Sequence, residues 1–370
     1  MGFLAILFVI RLAASAPPPR VQPGADLCVP QFQLFSPAAC PVLGPGGYAV
    51  SLSEARLPDA IPPLPLAPLT HYDPIVDFKY ARVTTPNASV FASPDDGVAN
   101  APTRAIGKGL IYVNLVAPAQ AGGQDFYQIH TGEYIRAADV SEVTPTGFQG
   151  ILFSEQPQYP IAWMVSNVRP SPLPGVRAPN SGPHLFRKTV VQIFSTQRVG
   201  QWDWYLIGPN QWVEQRAVAR LNLNPPPAGV TGRWIQVDLF EQTLAAYDGN
   251  RLVYATLVSS GLDEWPTRPG LFHIYAKLLA DRMRGTYRAD GSDFYSLEAV
   301  PWTMYYDGAR ALHGEYWHDR LGFKRSHGCV NLAVLDARWL YDWAAKGTPV
   351  WVYDPSGRTP TNIDAAGGAP

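Results

Sequence analysis

Ser326-His327-Gly328-Cys329-Val330-Asn331 is the stretch on which the reading of this 370-residue chain turns. Cys329 is the only cysteine in the C-terminal half, and three of the seven histidines, His313, His318 and His327, stand within fifteen residues of one another and beside it. Such a cluster has two chemical readings. A structural zinc site needs four ligands, usually with paired-cysteine spacing, and that spacing is absent, so no metal is predicted. Nucleophilic catalysis needs a thiol, a neighbouring imidazole to raise its thiolate fraction, and backbone N–H groups to hold an oxyanion. Gly328 fits the second reading, because a residue without Cβ allows the close turn that aims consecutive amides at one point. The residues alone leave open whether His313 or His327 is the base. A histidine two positions before the thiol is close in sequence, yet on an extended segment it often points away.

Working outward, the surrounding residues predict a mainly β domain at 232–355. Ile235, Val237 and Leu239 alternate with polar neighbours, and Asp248-Gly249-Asn250 joins the runs 243–247 and 252–258 as a hairpin. Asp336 is placed to cap one helix with Trp339, Leu340 and Trp343 on its apolar face, and Gly347 to stop it before a strand at 350–353. Pro225-Pro226-Pro227 with Gly229 marks the linker before this domain, and the Gly-, Ala-, Pro- and Thr-rich residues 356–370 predict a disordered tail.

Between 78 and 222, short β-branched and aromatic runs are separated by Gly, Pro, Asn and Asp, an all-β pattern. Asp125-Phe126-Tyr127-Gln128-Ile129 matches Asp203-Trp204-Tyr205-Leu206-Ile207, Tyr134-Ile135 matches Trp212-Val213, and Val140 matches Val218, all without a gap. This predicts two copies of one unit, at 78–147 and 148–222. Each copy resembles a bacterial SH3-like small β-barrel, serving either as a wall-binding module or as a spacer.

The N-terminal part reads differently. An apolar run at 3–10, then Arg11 and Ala14-Ser15-Ala16, predicts a secretory signal peptide at 1–16; the run is too short for the roughly 20 residues of a spanning helix. Residues 17–77, with Pro17-Pro18-Pro19, Pro62-Pro63 and a Leu-Pro alternation, predict an extended arm. In an oxidising compartment the neighbouring Cys28 and Cys40 would form a disulfide, leaving Cys329 as a free thiol. The formal net charge of −1, without a Lys/Arg run, argues against nucleic acid as a partner. No other stretch is long and apolar enough to span a bilayer, and the oligomeric state is not readable.

The segment with His313-Gly314, Tyr316-Trp317-His318, Gly322 and the Ser326-to-Asn331 motif resembles the L,D-transpeptidase catalytic domain. The likeness extends to Trp234-Ile235-Gln236-Val237-Asp238, Gln242-Thr243-Leu244, Ser259-Ser260-Gly261, Thr267-Arg268-Pro269-Gly270 and Val300-Pro301-Trp302-Thr303-Met304. The spacer between His313 and the motif is shorter than in the best-known members. The resemblance implies a β-sandwich with one helix, preceded here by the two SH3-like units, in an extracytoplasmic, secreted or wall-associated protein. It implies that Cys329 attacks a peptidoglycan stem peptide, that His313 is the base, and that the Gly314 carbonyl orients it. Backbone N–H groups of His327, Gly328 and Cys329 would form the oxyanion hole. Ser326 and Asn331 would brace the turn and, with Trp317 and His318, border the substrate; His318 has the alternative of a purely structural hydrogen bond. The implied reaction is 3→3 cross-linking of donor and acceptor stems through a thioester, with no cofactor. A carboxypeptidase, a wall-protein amidase and a non-catalytic wall-binding protein are the alternatives. Residues 283–297 stand where family members carry a flap.

Overall fold

The computed structural model describes residues 57–58, 61–286 and 288–361. The signal at 1–16, the Cys28–Cys40 pairing, most of the arm and the tail from 362 lie outside the described residues. Among the described residues no helix is long and apolar enough to cross a membrane.

The C-terminal domain is a two-layer β-sandwich. One layer is a six-stranded sheet centred on Arg233–Asp238, which pairs antiparallel with Thr243–Asp248 and parallel with Pro349–Tyr353. The predicted hairpin is present: Thr243–Asp248 pairs with Arg251–Leu257, and the two-residue loop carries Gly249 at φ 60°. The facing layer holds the strands Tyr295–Asp307, Arg310–Glu315 and Val330–Ala333. Ile235, Val237, Leu244 and Tyr254 from the first layer meet Met304, Leu312, Val330 and Leu332 from the second, and the helix Val334–Trp343 adds Ala337 and Leu340.

The polar residues that alternate with Ile235 and Val237 do not face solvent as a one-sided sheet would have them. Gln236 and Asp238 are buried, with Gln236 Nε2 donating to Asn222 O at 2.6 Å and Asn222 Nδ2 donating to Asp238 Oδ2 at 2.9 Å. The second face of the sheet is covered by residues 148–222: Trp163, Ala219 and Leu221 pack on Trp234, Tyr247 and Leu257. A sheet buried on both faces must hydrogen-bond its polar side chains internally.

Asp336 does not cap the helix. The N-cap is Ala333, and Asp336 lies inside the first turn, buried, accepting Gly150 N–H at 2.7 Å and the hydroxyls of Tyr254 and Thr256. Burial pushes its pKa up to about 6, against the pull of those donors. The helix ends at Trp343, before Gly347, whose φ of +88° serves the following turn.

The 78-residue repeat is visible as equivalent elements. Gln124–Ile129, Tyr134–Arg136, the 3-10 turn Ala137–Asp139 and Val140–Val143 correspond to Trp202–Gly208, Gln211–Glu214, Gln215–Ala217 and Val218–Arg220. The two copies are deployed differently. In the first, Leu110–Ala121 pairs in parallel with Tyr295–Asp307 of the sandwich, so that its strands extend that layer into an 11-stranded sheet. In the second, the elements form two three-stranded sheets, and the short strand Ile151–Leu152, within the range 148–222, instead joins the strand Arg251–Leu257. The Pro-rich arm is also docked where it is described: Ala67 N–H donates to Leu152 O at 2.8 Å, and Leu64 packs on the same apolar cluster.

Candidate active site

The site is built on two neighbouring strands. Arg310–Glu315 and Val330–Ala333 run parallel, with Leu312 opposite Val330 and His313 opposite Asn331. Side chains alternate along a strand and residues in register share a face. Leu312, Val330 and Leu332 therefore enter the sandwich core, while His313, Asn331 and, one pleat back, Cys329 open on the other side. They line a cleft of about 520 Å³ together with Ser326, His327, Trp317 and His318. All the side chains expected at the site border it, although the sequence places them up to eighteen residues apart.

His313 is buried, and its Nδ1 lies 3.1 Å from Gly314 O. A carbonyl can only accept, so Nδ1 carries the proton and Nε2 keeps its lone pair. Burial lowers the imidazole pKa to about 4, against the opposing effect of the Gly314 bond, so the ring is neutral near pH 7. Gly314 is tightly packed, since a Cβ would stand 3.0 Å from the Pro301 ring and 3.3 Å from the Val334 backbone.

Cys329 is half-buried, with its thiol donating to Ala309 O at 3.8 Å. Burial raises its pKa, opposed by the backbone N–H of Ala311 and the charge of Arg310. At rest the pair is a neutral thiol and a neutral imidazole. Arg310 is itself buried and held by Asp307, which also accepts from Arg268 Nε at 2.9 Å. Sequence reasoning did not single out this cation. Only its neighbour Arg268 stood in a run, Thr267-Arg268-Pro269-Gly270, that formed part of a resemblance.

The turn before the thiol requires glycine at 328. Its φ is +117°, and an added Cβ would lie 3.2 Å from Arg310 Nε. Thr267 Oγ1 donates to Gly328 O at 2.9 Å, and the bridges Gly261 to Ser326 and Ser259 to Asn331 clamp the loop onto the Ser259-Ser260-Gly261 segment. Ser326 braces the turn from inside by donating to Cys329 O at 2.5 Å and accepting Gly328 N–H at 3.1 Å. The Gly328 N–H expected to face an oxyanion is thus already engaged at rest.

The other two histidines have distinct settings. His327 is sandwiched between Trp265 and Tyr295, with ring centroids 4.1 and 5.0 Å away. Burial lowers its pKa, partly offset by Asp293 and Glu264. His318 borders the cleft and also makes the internal contact considered for it: Nδ1 is 2.9 Å from Oε2 of fully buried Glu315, and Nε2 is 3.5 Å from Asn331 Nδ2. Burial, followed by the charge of Arg325, lowers the His318 pKa to about 4, and burial raises that of Glu315 well above the usual carboxylate range. Glu315 gave no signal in the sequence beyond following His313 by one pleat. Among the described residues no three His, Cys, Asp or Glu side chains gather as a metal site.

The expected flap is the hairpin of Ala276–Gly285 with the start of Tyr295–Asp307, Gly285 pairing with Tyr295. The first repeat copy holds it from behind. Leu110 N–H donates to Phe294 O at 2.9 Å, Asn114 N–H to Glu298 Oε2 at 3.0 Å and Tyr80 OH to Ala299 O at 2.9 Å. Tyr80 also stacks on Tyr316 at 3.5 Å, and Leu110 itself lines the cleft.

A mainly β sandwich thus presents a thiol and an imidazole from adjacent strands into one cleft. Residues 232–352 match the YkuD family model, the L,D-transpeptidase catalytic domain. The chain is 29% identical over 136 residues to the Bacillus subtilis (strain 168) protein named "Putative L,D-transpeptidase YciB"; the match covers 32% of this chain and 63% of that one. Among solved structures it is similar to a crystal structure of an Enterococcus faecium L,D-transpeptidase cysteine-to-serine mutant, at 26% identity and a TM-score of 0.31, covering 34% of this chain and 50% of that one. It is also similar to an NMR structure of an E. faecium L,D-transpeptidase catalytic domain, at 27% identity and a TM-score of 0.31, covering 34% of this chain and 100% of that domain. The match thus spans 63% of the B. subtilis relative and 50% of the E. faecium mutant chain.

Proposed function

We propose that the protein is an extracytoplasmic L,D-transpeptidase that joins peptidoglycan stem peptides through a thioester on Cys329. The observation that carries this reading is the placement of Cys329 and His313 on one face of two parallel strands, with His313 Nδ1 committed to Gly314 O and Nε2 left to take a proton. In the first half-reaction, the thiol proton passes to His313 Nε2 as sulfur attacks the carbonyl carbon of the third stem residue. The tetrahedral oxyanion is met by backbone N–H groups of the Gly328 turn, with Ser326 Oγ releasing that of Gly328 as charge develops. The amide C–N bond breaks, the leaving D-Ala amine takes the proton back from His313, and the thioester remains. In the second half-reaction an acceptor amine attacks the thioester and loses its proton to His313, and the departing sulfur regains it. Because both partners are neutral at rest, proton transfer accompanies attack, and Arg310 and the Ala311 N–H favour negative charge on sulfur only as it forms.

The test is incubation of the purified protein with tetrapeptide muropeptides, followed by mass spectrometry. Tripeptide–tripeptide dimers joined 3→3 are the expected product. Tripeptide without dimer would make the protein an L,D-carboxypeptidase, and unchanged muropeptides with an unmodified Cys329 would remove the enzymatic reading.

A further inference from the structure

The charge distribution around the cleft is one-sided. Its charged lining comprises Arg282, Arg284, Arg310 and Arg325, and no Asp or Glu borders it, although the chain as a whole has a net charge of −1. Arg310 is paired with Asp307, which Arg268 shares. The other three are exposed, and their guanidinium groups have no hydrogen-bond or ion-pair partner among the described residues. That sets them apart from Arg104, Arg198, Arg216, Arg220, Arg268 and Arg288, each paired with a carboxylate. Two of the three come from the flap strand, two residues apart, and the third stands immediately before Ser326. They therefore reach the cleft from both of its walls. The mounting on either side is fixed: Met283, between the flap arginines, packs on the tyrosine cluster of the first repeat copy, and Arg325 N–H donates to Ser260 O at 2.8 Å.

A guanidinium fork matches a carboxylate in geometry and charge, and an arginine facing a substrate cleft without an internal partner is a receptor for an anionic group. We infer that Arg282, Arg284 and Arg325 form a carboxylate-reading rim, which selects stem peptides whose carboxyl groups are free over the same peptides carrying carboxamides. This rests on the stem-peptide reading for the identity of the ligand, but the rim's preference for anions is independent of it.

The experiment has two arms, run on wild type and on the triple variant Arg282→Gln, Arg284→Gln, Arg325→Gln, with circular dichroism to verify that both are folded. In the first, Cys329 is alkylated with iodoacetate and with iodoacetamide. In each case the sulfur–carbon bond forms as iodide leaves and the thiol proton is lost to solvent. The ratio of iodoacetate to iodoacetamide rates should exceed that of the triple variant by about tenfold at low salt and converge on it at high salt. Equal ratios in the two proteins overturn the rim. In the second arm, two tetrapeptide donors that differ only in free carboxyl against carboxamide groups are compared. The free form should show a KM about tenfold lower in wild type, with the difference abolished in the triple variant. Equal use of both donors by wild type overturns the selection. A salt-sensitive iodoacetate preference without acylation by either donor supports the anion rim and overturns the stem-peptide reading.

Discussion

The two faces of the strand pair Arg310–Glu315 and Val330–Ala333 are separated only by the direction of successive side chains, yet they do unrelated work. One face sends Leu312, Val330 and Leu332 into the sandwich core, where each is fully buried. The other holds His313, Cys329 and Asn331 against a cleft, with Glu315 buried behind His318. A strand that is anchored by its apolar face positions its polar face to within a bond rotation, and this is how a thiol and an imidazole distant in sequence acquire a fixed relation. The cost is that the polar face is desolvated too. His313 and His318 are pushed towards about 4, and Cys329 and Glu315 are pushed up. All four are thereby held in their uncharged forms near neutrality.

Substitutions on the two faces should separate activity from stability. On the cleft face, His313→Ala should lower the rate of Cys329 acylation on the order of 10³-fold, read by single-turnover kinetics. His327→Ala, which removes only a ring stacked between Trp265 and Tyr295, should cost far less. A loss confined to His327→Ala would reverse the assignment of the base. On the core face, Leu312→Ala should cost about 2–5 kcal/mol in denaturant unfolding while leaving the turnover of the folded fraction nearly unchanged.

The pH dependence sharpens the same contrast. His313 is neutral in the folded protein down to about pH 4 but takes up a proton near 6.5 when unfolded. Its folded pKa is depressed, so the unfolded state binds more protons between those values and stability falls as pH drops through that window. Between pH 7 and pH 5 the wild type should lose about 2 kcal/mol more than His313→Gln, measured by urea unfolding at the two pH values. The acid limb of kcat/KM should likewise lie near pH 4, and a limb at 6.5 would contradict the buried, neutral imidazole. The smallest effect is expected at Glu315. Its carboxyl is buried and held protonated, so Glu315→Gln, which keeps the shape and the absence of charge, should change unfolding free energy by less than about 1 kcal/mol.

Much of the sandwich was legible because its signals are local. Asp248-Gly249-Asn250 carries its turn chemistry within three residues, and Gly328 before a thiol announces a tight turn wherever it stands. The repeat was legible because its aromatic positions keep one offset, which the structure returns as the same succession of strands and 3-10 turn. Other features leave no local trace. Ile151-Leu152 is too short for any periodicity, and only its pairing with Arg251–Leu257 reveals that it belongs to the sandwich. The alternation of Leu and Pro reads alike whether an arm is solvated or docked; Ala67 shows it docked. Asp336 looks like a helix cap in sequence because Asp favours that position, but three donors from elsewhere in the fold draw it inside. The parallel pairing of Leu110–Ala121 behind the flap, and the convergence of Arg282 and Arg284 with Arg325, are likewise properties of the assembled fold.

The most direct test of the account is the intact mass of the protein after brief exposure to a tetrapeptide donor at acidic quench, in wild type and Cys329→Ala. The account predicts a mass increase equal to the donor minus D-Ala, mapped by peptide analysis to Cys329 and absent from the variant. An adduct on another residue, or donor turnover by Cys329→Ala, would contradict it.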